Sequence, residues 1–388
     1  MYIVDAHEDL AWNILTFGRD YTLSAAETRR REAGGEAPAR NGDTLLGWPD
    51  YQRGQVALVF STLFAAPARR RLGPWDTQCY LDSNHARVLY RAQLDAYLRL
   101  AEDHPDKFRL VQTGSELEEI VSIWEKEIPV FEPVEEEREG EVPVQERRNG
   151  RAEVRSELAG RPVGLVVLME GAEGVREPEE LEDWYAWGVR LVGPAWAGNR
   201  YTGGTREPGP LTLDGFRLLD KMAEFGFILD LSHMDEQAAF QALDHYEGQV
   251  AATHANALAL LKGMDTNRHL PDRLIAGLIE RGGVIGVVPY NKFLKPGWSA
   301  GDRREEVTLQ HVFAQIDHIC QIAGDAFHAG LGSDFDGGFG LQSAPAGIDT
   351  IADLQKLAPL LSERGYSDAD IAAIFGGNWI QFLRRSLP

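Results

Sequence analysis

Val163-Gly164-Leu165-Val166-Val167-Leu168-Met169-Glu170 is an apolar run that stops on a carboxylate. It shows no polar–apolar alternation, the pattern of a parallel strand covered on both faces. Similar runs recur at residues 2–7, 56–64, 189–192, 227–233, 250–254, 284–289 and 329–334. Helical periodicity fills the intervals at 81–103, 213–225, 236–245, 271–281 and 309–322. Pro271 suits a first helical turn, where proline loses no needed N–H. Eight strands alternating with helices predict an α/β fold, a single TIM-like (β/α)8 barrel. A doubly wound open sheet is the competing arrangement, but no glycine-rich phosphate loop follows the first strand.

Two stretches interrupt the alternation. Residues 21–51, with Arg29-Arg30-Arg31 and Gly34-Gly35, are predicted as a long loop after strand one with a short helix inside. A stretch dense in Glu, Arg and Pro, including Glu135-Glu136-Glu137, reads as a solvated surface insertion at about 129–157, ahead of strand three. The expected organisation is therefore one barrel domain over 1–388 carrying these insertions.

The 388 residues hold 39 Lys+Arg against 60 Asp+Glu, a net charge of −21, which argues against a nucleic-acid partner. With 44% hydrophobic and 26% charged residues, whole-chain disorder is excluded. Two cysteines, Cys79 and Cys320, cannot build a disulfide scaffold or a four-thiolate zinc site, and point to a reducing compartment. No apolar stretch reaches the 18 residues a bilayer span needs, and the first residues lack a signal-peptide pattern. A cytoplasmic location with no membrane partner is expected.

Polar residues end the apolar runs. His7 and Asp9 are two apart, a spacing that in extended backbone directs both side chains to one side. Glu170, His233, His254 and Asp334 end four further runs. Singly, each has an ordinary structural explanation: a polar strand end, a salt-bridged carboxylate, a satisfied core histidine or a turn cap. Together they place three imidazoles and three carboxylates where the C-terminal ends of barrel strands meet, the active-site face of this architecture. Burying three carboxylates side by side without a cation is prohibitive. Two divalent ions offset that charge, and mixed nitrogen and oxygen ligands suit zinc.

These residues resemble the membrane (renal) dipeptidase family, zinc enzymes of the amidohydrolase superfamily with a distorted (β/α)8 barrel. Asp5-Ala6-His7-Glu8-Asp9-Leu10 is similar to the family's opening D-G-H-x-D-L, Glu170-Gly171 to its E-G, and Asp230-Leu231-Ser232-His233 to its D-L-S-H. Thr253-His254, Arg268 with Pro271-Asp272, Gly332-Ser333-Asp334-Phe335-Asp336-Gly337 and Gly376-Gly377-Asn378 continue the series in order. The resemblance runs from Asp5 to about Leu383 apart from the insertions. It implies two zinc ions per chain, His7 and Asp9 holding one, His233 and His254 the other, and Glu170 bridging. Asp334 is implied as acid/base, and Arg268 as the clamp for a substrate's terminal carboxylate. Relatives of this kind are commonly dimers, so a homodimer is among the expectations.

One position departs. Where the family carries a histidine after strand four, this chain reads Leu191-Val192-Gly193-Pro194-Ala195-Trp196, placing Trp196 at the substrate. Indole donates one hydrogen bond and carries no proton. Asn199, Arg200 and Tyr201 are the nearby candidates for the missing donor. The expected function is hydrolysis of a dipeptide's amide bond by a metal-bridging hydroxide. The alternatives are hydrolysis of N-acyl amino acids or other small amides, and a catalytically silent barrel that binds a metal or ligand.

Overall fold

A computed structural model of the chain describes residues 1–126 and 160–388. The insertion expected at about 129–157 lies outside the described residues. Eight parallel strands form the sheet: β1 (Ile3–Glu8), β2 (Val56–Phe64), β3 (Val163–Glu170), β4 (Val189–Gly193), β5 (Ile228–Asp230), β6 (Val250–Ala251), β7 (Ile285–Val287) and β8 (Ala329–Leu331). They pair in chain order. Asp5 of β1 faces Leu331 of β8, and a parallel bridge from Ala252 to Ile285 joins β6 to β7, so the ring closes as the α/β barrel expected. A short strand, Phe108–Leu110, adds to the beginning of β3.

The strands are buried because their side chains face either the barrel interior or the helical layer. Leu58, Leu165, Val166, Leu191 and Leu229 are fully buried. Helices Ser83–Asp103, Leu213–Phe225, Glu236–His245, Asp272–Glu280 and Leu309–Ala323 follow the apolar periodicity of the sequence. Their starts are local chemistry: the side chains of Asp82, Thr212 and Asp235 accept backbone N–H groups of the first turn.

Two expectations need correction. Over residues 21–51, expected as a loop with one short helix, the chain makes three helices, Ala25–Glu32, Glu36–Asn41 and Trp48–Gly54, after a first helix at Leu10–Phe17. A distant anchor holds the segments between these helices. The fully buried Asp336, beyond β8, accepts from Arg19 Nη1 at 3.0 Å, Tyr21 Oη at 2.8 Å, Thr44 Oγ1 at 2.5 Å and the Leu45 amide at 3.1 Å. Second, β5 to β8 are shorter than their apolar runs. Their last residues leave the ladder, and at β5, β6 and β8 those are the residues that reach the site.

Candidate metal centre

All six expected groups meet at the C-terminal mouth of the barrel. His7 lies within β1 and Asp9 just past it, while Glu170 is the last residue of β3. His233, His254 and Asp334 each sit three residues beyond the last residue of β5, β6 and β8. Trp196 and Tyr290 hold the same offset from β4 and β7.

His7 Nε2 stands 3.7 Å from Asp9 Oδ2, 3.8 Å from Glu170 Oε2 and 3.8 Å from Asp334 Oδ1. Glu170 Oε1 lies 2.9 Å from His233 Nε2 and 3.3 Å from His254 Nε2. Glu170 thus turns one oxygen toward each set of imidazoles. The ligand atoms of His7, Asp9 and Glu170 lie within 4.8 Å of one another, as do those of Glu170, His233 and His254.

The turn after β8 brings Asp334 in at a positive φ of 57°, its amide donating to the His7 carbonyl at 3.1 Å. Gly337 follows because a Cβ there would sit 2.2 Å from Asp334 Oδ1 and 2.7 Å from Asp9 Oδ2.

Burial sets the electrostatics. It drives the Glu170 and Asp334 carboxyls well above their usual range, with the neighbouring Asp9 charge adding to both. Asp9 is pushed up to about 7 by burial and then by Asp336. Burial holds His7, His233 and His254 well below the ordinary imidazole value, and the Arg268 charge acts in the same direction. The imidazoles are therefore neutral.

One tautomer follows from the hydrogen bonds. Thr253 Oγ1 donates to Asp230 Oδ2 at 2.6 Å, so its oxygen accepts from His254 Nδ1–H at 2.9 Å. That leaves His254 Nε2 with a lone pair aimed at the site. His233 Nε2 lies only 2.9 Å away, and Glu170 Oε1 beside both. The His254 Nε2 lone pair and Glu170 Oε1, two acceptors 3.3 Å apart, repel, and Asp9 Oδ1 is buried without a hydrogen-bond partner. Divalent cations satisfy both features, so the residues fit a metal centre.

Above the cluster opens a cavity of about 310 Å³. Arg268, buried at its edge, donates to the Ser232 and His254 carbonyls, both at 2.7 Å, while its Nε–H has no partner. The guanidinium therefore braces the ends of two strands and retains donors for a ligand. Trp196 also lines the cavity, its ring 5.1 Å from Phe64 and 6.3 Å from His233.

The suggested replacement donors lie elsewhere. Asn199 binds the Pro194 carbonyl, the buried Tyr201 hydroxyl binds the Val175 carbonyl, and Arg200 faces Glu177. The walls instead include Thr205, Arg206, Tyr290 and Phe293, which the sequence reading missed. Tyr290 was within reach, since it follows the apolar run of β7 as the other site residues follow theirs.

A closed parallel barrel with this cluster at its mouth defines a metal-dependent hydrolase. Residues 149–386, more than half of the chain, match the model of the membrane dipeptidase family, peptidase family M19, and the chain belongs to that family. It is thus a metallopeptidase of the dipeptidase class.

A Klebsiella pneumoniae protein described only as uncharacterized, from a pqqA 5′ region, is 32% identical over 232 residues, covering 57% of this chain and 82% of its own length. The dipeptidase tcpJ of Claviceps purpurea is 29% identical over 230 residues, covering 57% of this chain and 51% of its own; the chain spans only about half of that relative. A metallopeptidase structure from Rhodobacter sphaeroides, bound to a phosphinate mimic of L-Ala-D-Ala, superposes with a TM-score of 0.70 at 22% identity, over 100% of this chain and 99% of the other. A probable dipeptidase from Pseudomonas aeruginosa reaches 0.72 at 18% identity, over 100% and 95%. These likenesses establish the fold.

Proposed function

We propose that the protein hydrolyses the amide bond of dipeptides at a pair of zinc ions. His7 and Asp9 would hold one ion and His233 and His254 the other, with Glu170 shared. The observation that carries this reading is the division of Glu170, with Oε2 toward His7 and Oε1 toward His233 and His254. Bound there, zinc would supply an acidified water, the hydroxide nucleophile of this proposal, and Lewis-acid polarisation of the scissile carbonyl.

The chain's own residues do the rest. Asp334, its carboxyl raised and only 14% exposed at the side chain, takes the water's proton and returns it to the leaving amine. Arg268 offers its free Nε–H and remaining Nη–H groups to the terminal carboxylate. Phe64 and Trp196 form an apolar wall that keeps bulk water from the carbonyl.

Trp196 is also the observation favouring a second reading, a catalytically silent barrel that binds a metal or ligand, while the near alternative among substrates is an N-acyl amino acid. Such a substrate presents the same bond and carboxylate. A cytoplasmic site of action and a homodimer belong to the proposal as well. Among the described residues no helix is long and apolar enough to cross a membrane.

The test is turnover of dipeptides and N-acyl amino acids by zinc-loaded protein, before and after chelation. Asp334→Asn is expected to retain zinc and lose about 10²–10⁴-fold in kcat. Turnover that persists in chelator overturns the metal mechanism.

A further inference from the structure

Next to the catalytic cavity lies a second pocket of about 580 Å³, and the two share Thr205, Arg206, Arg268 and Phe293 as common wall. The second pocket adds Lys292, Asn267 and His269. Three cationic side chains therefore face one space, against a single acid in its lining, Asp265. Of the acids beside the lining, Glu207 pairs with Arg69 and Arg70, and Asp235 accepts from Asn267 Nδ2 at 3.0 Å. In a chain of net charge −21 this is a local excess of positive charge.

The pocket is built, not incidental. Arg206 occupies the turn of a hairpin, Thr202–Gly204 with Glu207–Leu211, at a φ of 62°. Its amide donates to Asn267 Oδ1 at 2.9 Å, and Asn267 Nδ2 donates back to the Gly204 carbonyl at 2.9 Å. This clasp fixes the hairpin against the loop that carries Arg268. His269 is only 4% exposed, lies edge-on to Phe293 at 4.9 Å, and neither ring nitrogen has a hydrogen-bond partner. A buried imidazole N–H without an acceptor is costly unless a ligand or water supplies one.

We propose that this pocket is the subsite for an acidic side chain on the C-terminal residue of the dipeptide, so that substrates ending in aspartate or glutamate are preferred. The inference rests on the dipeptidase reading. With the terminal carboxylate on Arg268, the adjoining side chain leaves from the wall the two spaces share. Arg206 and Lys292 would face its charge, with His269 offering its N–H.

The experiment compares kcat/KM of the zinc-loaded full chain for Ala-Glu, Ala-Gln and Ala-Ala, with both configurations of the second residue. Ala-Glu is expected to exceed Ala-Gln about tenfold. Arg206→Ala and Lys292→Ala should each lower the Glu-to-Gln ratio about three- to tenfold, and Lys292→Glu should invert the preference. The ratio within one variant cancels any general loss of activity.

A wild-type ratio near one, or a ratio the variants leave unchanged, overturns the subsite while Ala-Ala turnover preserves the dipeptidase reading. If no dipeptide is cleaved, that reading has failed. Calorimetric binding of free glutamate against glutamine to the same protein then decides the subsite, and equal affinities overturn it.

Discussion

The two halves of the barrel bring their residues to the mouth by different means. Between β2 and β3 the ladder does the positioning, with seven facing pairs from Leu58–Gly164 to Phe64–Glu170, so Glu170 arrives on the last rung. From β5 to β8 the ladder stops after two or three residues, and the histidines stand beyond it. There a buried carboxylate replaces the missing rungs. Asp230 Oδ1 accepts the amides of Ser232 at 3.1 Å and Thr253 at 2.9 Å, tying the chain after β5 to the chain after β6. Asp5 does the same for β8, accepting the Ser333 amide at 2.6 Å and its hydroxyl at 2.5 Å. Where strands must part to make room for a site, charge-assisted hydrogen bonds carry the registration that a ladder carries elsewhere.

The sharpest way to break the contrast is at the residue both halves share. Glu170→Gln keeps the shape and removes the charge, so both ions should be lost and kcat should fall by more than about 10³-fold. Elemental analysis alongside kinetics checks this. A variant that keeps two zinc ions per chain and most of its activity would show that Glu170 does not bridge.

Asp336→Asn probes the carboxylate that anchors the β1–β2 helices. It removes the charge that faces the buried Arg19 guanidinium at 3.0 Å and leaves Glu32 as its remaining ion-pair partner. The cost should be about 1–3 kcal/mol, from the weakened hydrogen bonds to Asp336, read from urea unfolding. Zinc content of the folded fraction should not fall, because Asp336 contacts no assigned ligand through its side chain and its charge only raises the Asp9 carboxyl.

Asp230→Asn tests the short-strand half. Asn offers one acceptor and a donor that faces Thr253 or Ser232, so the His254 tautomer is no longer enforced. Zinc affinity should weaken about 10–100-fold for one ion of the pair, seen as early release of a single equivalent during chelator titration. Simultaneous release of both would mean that the two halves are not separable.

The same contrast explains how far the amino-acid sequence could be read. Residues 56–64 and 163–170 were placed to the residue, because a long ladder and a continuous apolar run have the same limits. The runs ending at His233, His254 and Asp334 overshoot their strands, since apolarity reports burial and these segments stay buried after pairing ends. Their convergence was readable because polar residues closing apolar runs need a compensating reason. The packing of residues 19–54 was not, as its connecting segments are held by Asp336 nearly 300 positions away. Nor was the wall around Trp196, where Phe64 arrives from the end of β2 and Thr205 from a hairpin turn, and no periodicity links them.

His269, in the loop that follows the short strand β6, gives the smallest effect, and its sign is fixed by linkage. Burial, and then the Arg268 charge, lowers its imidazole to about 3. An unfolded chain protonates the same group below about pH 6.5. Between those values the unfolded state binds the extra proton, so the contribution of His269 to stability falls as pH falls through 6.5. His269→Asn removes the titrating group and keeps a side chain able to hydrogen-bond. Between pH 7.5 and 5, wild-type protein kept metal-free should lose about 2 kcal/mol relative to the variant, measured as the shift in urea unfolding free energy. Carboxylates elsewhere in the cluster titrate in both proteins and cancel in the difference. A difference that does not change with pH would mean that His269 takes up its proton in the folded chain, as an imidazole open to water would.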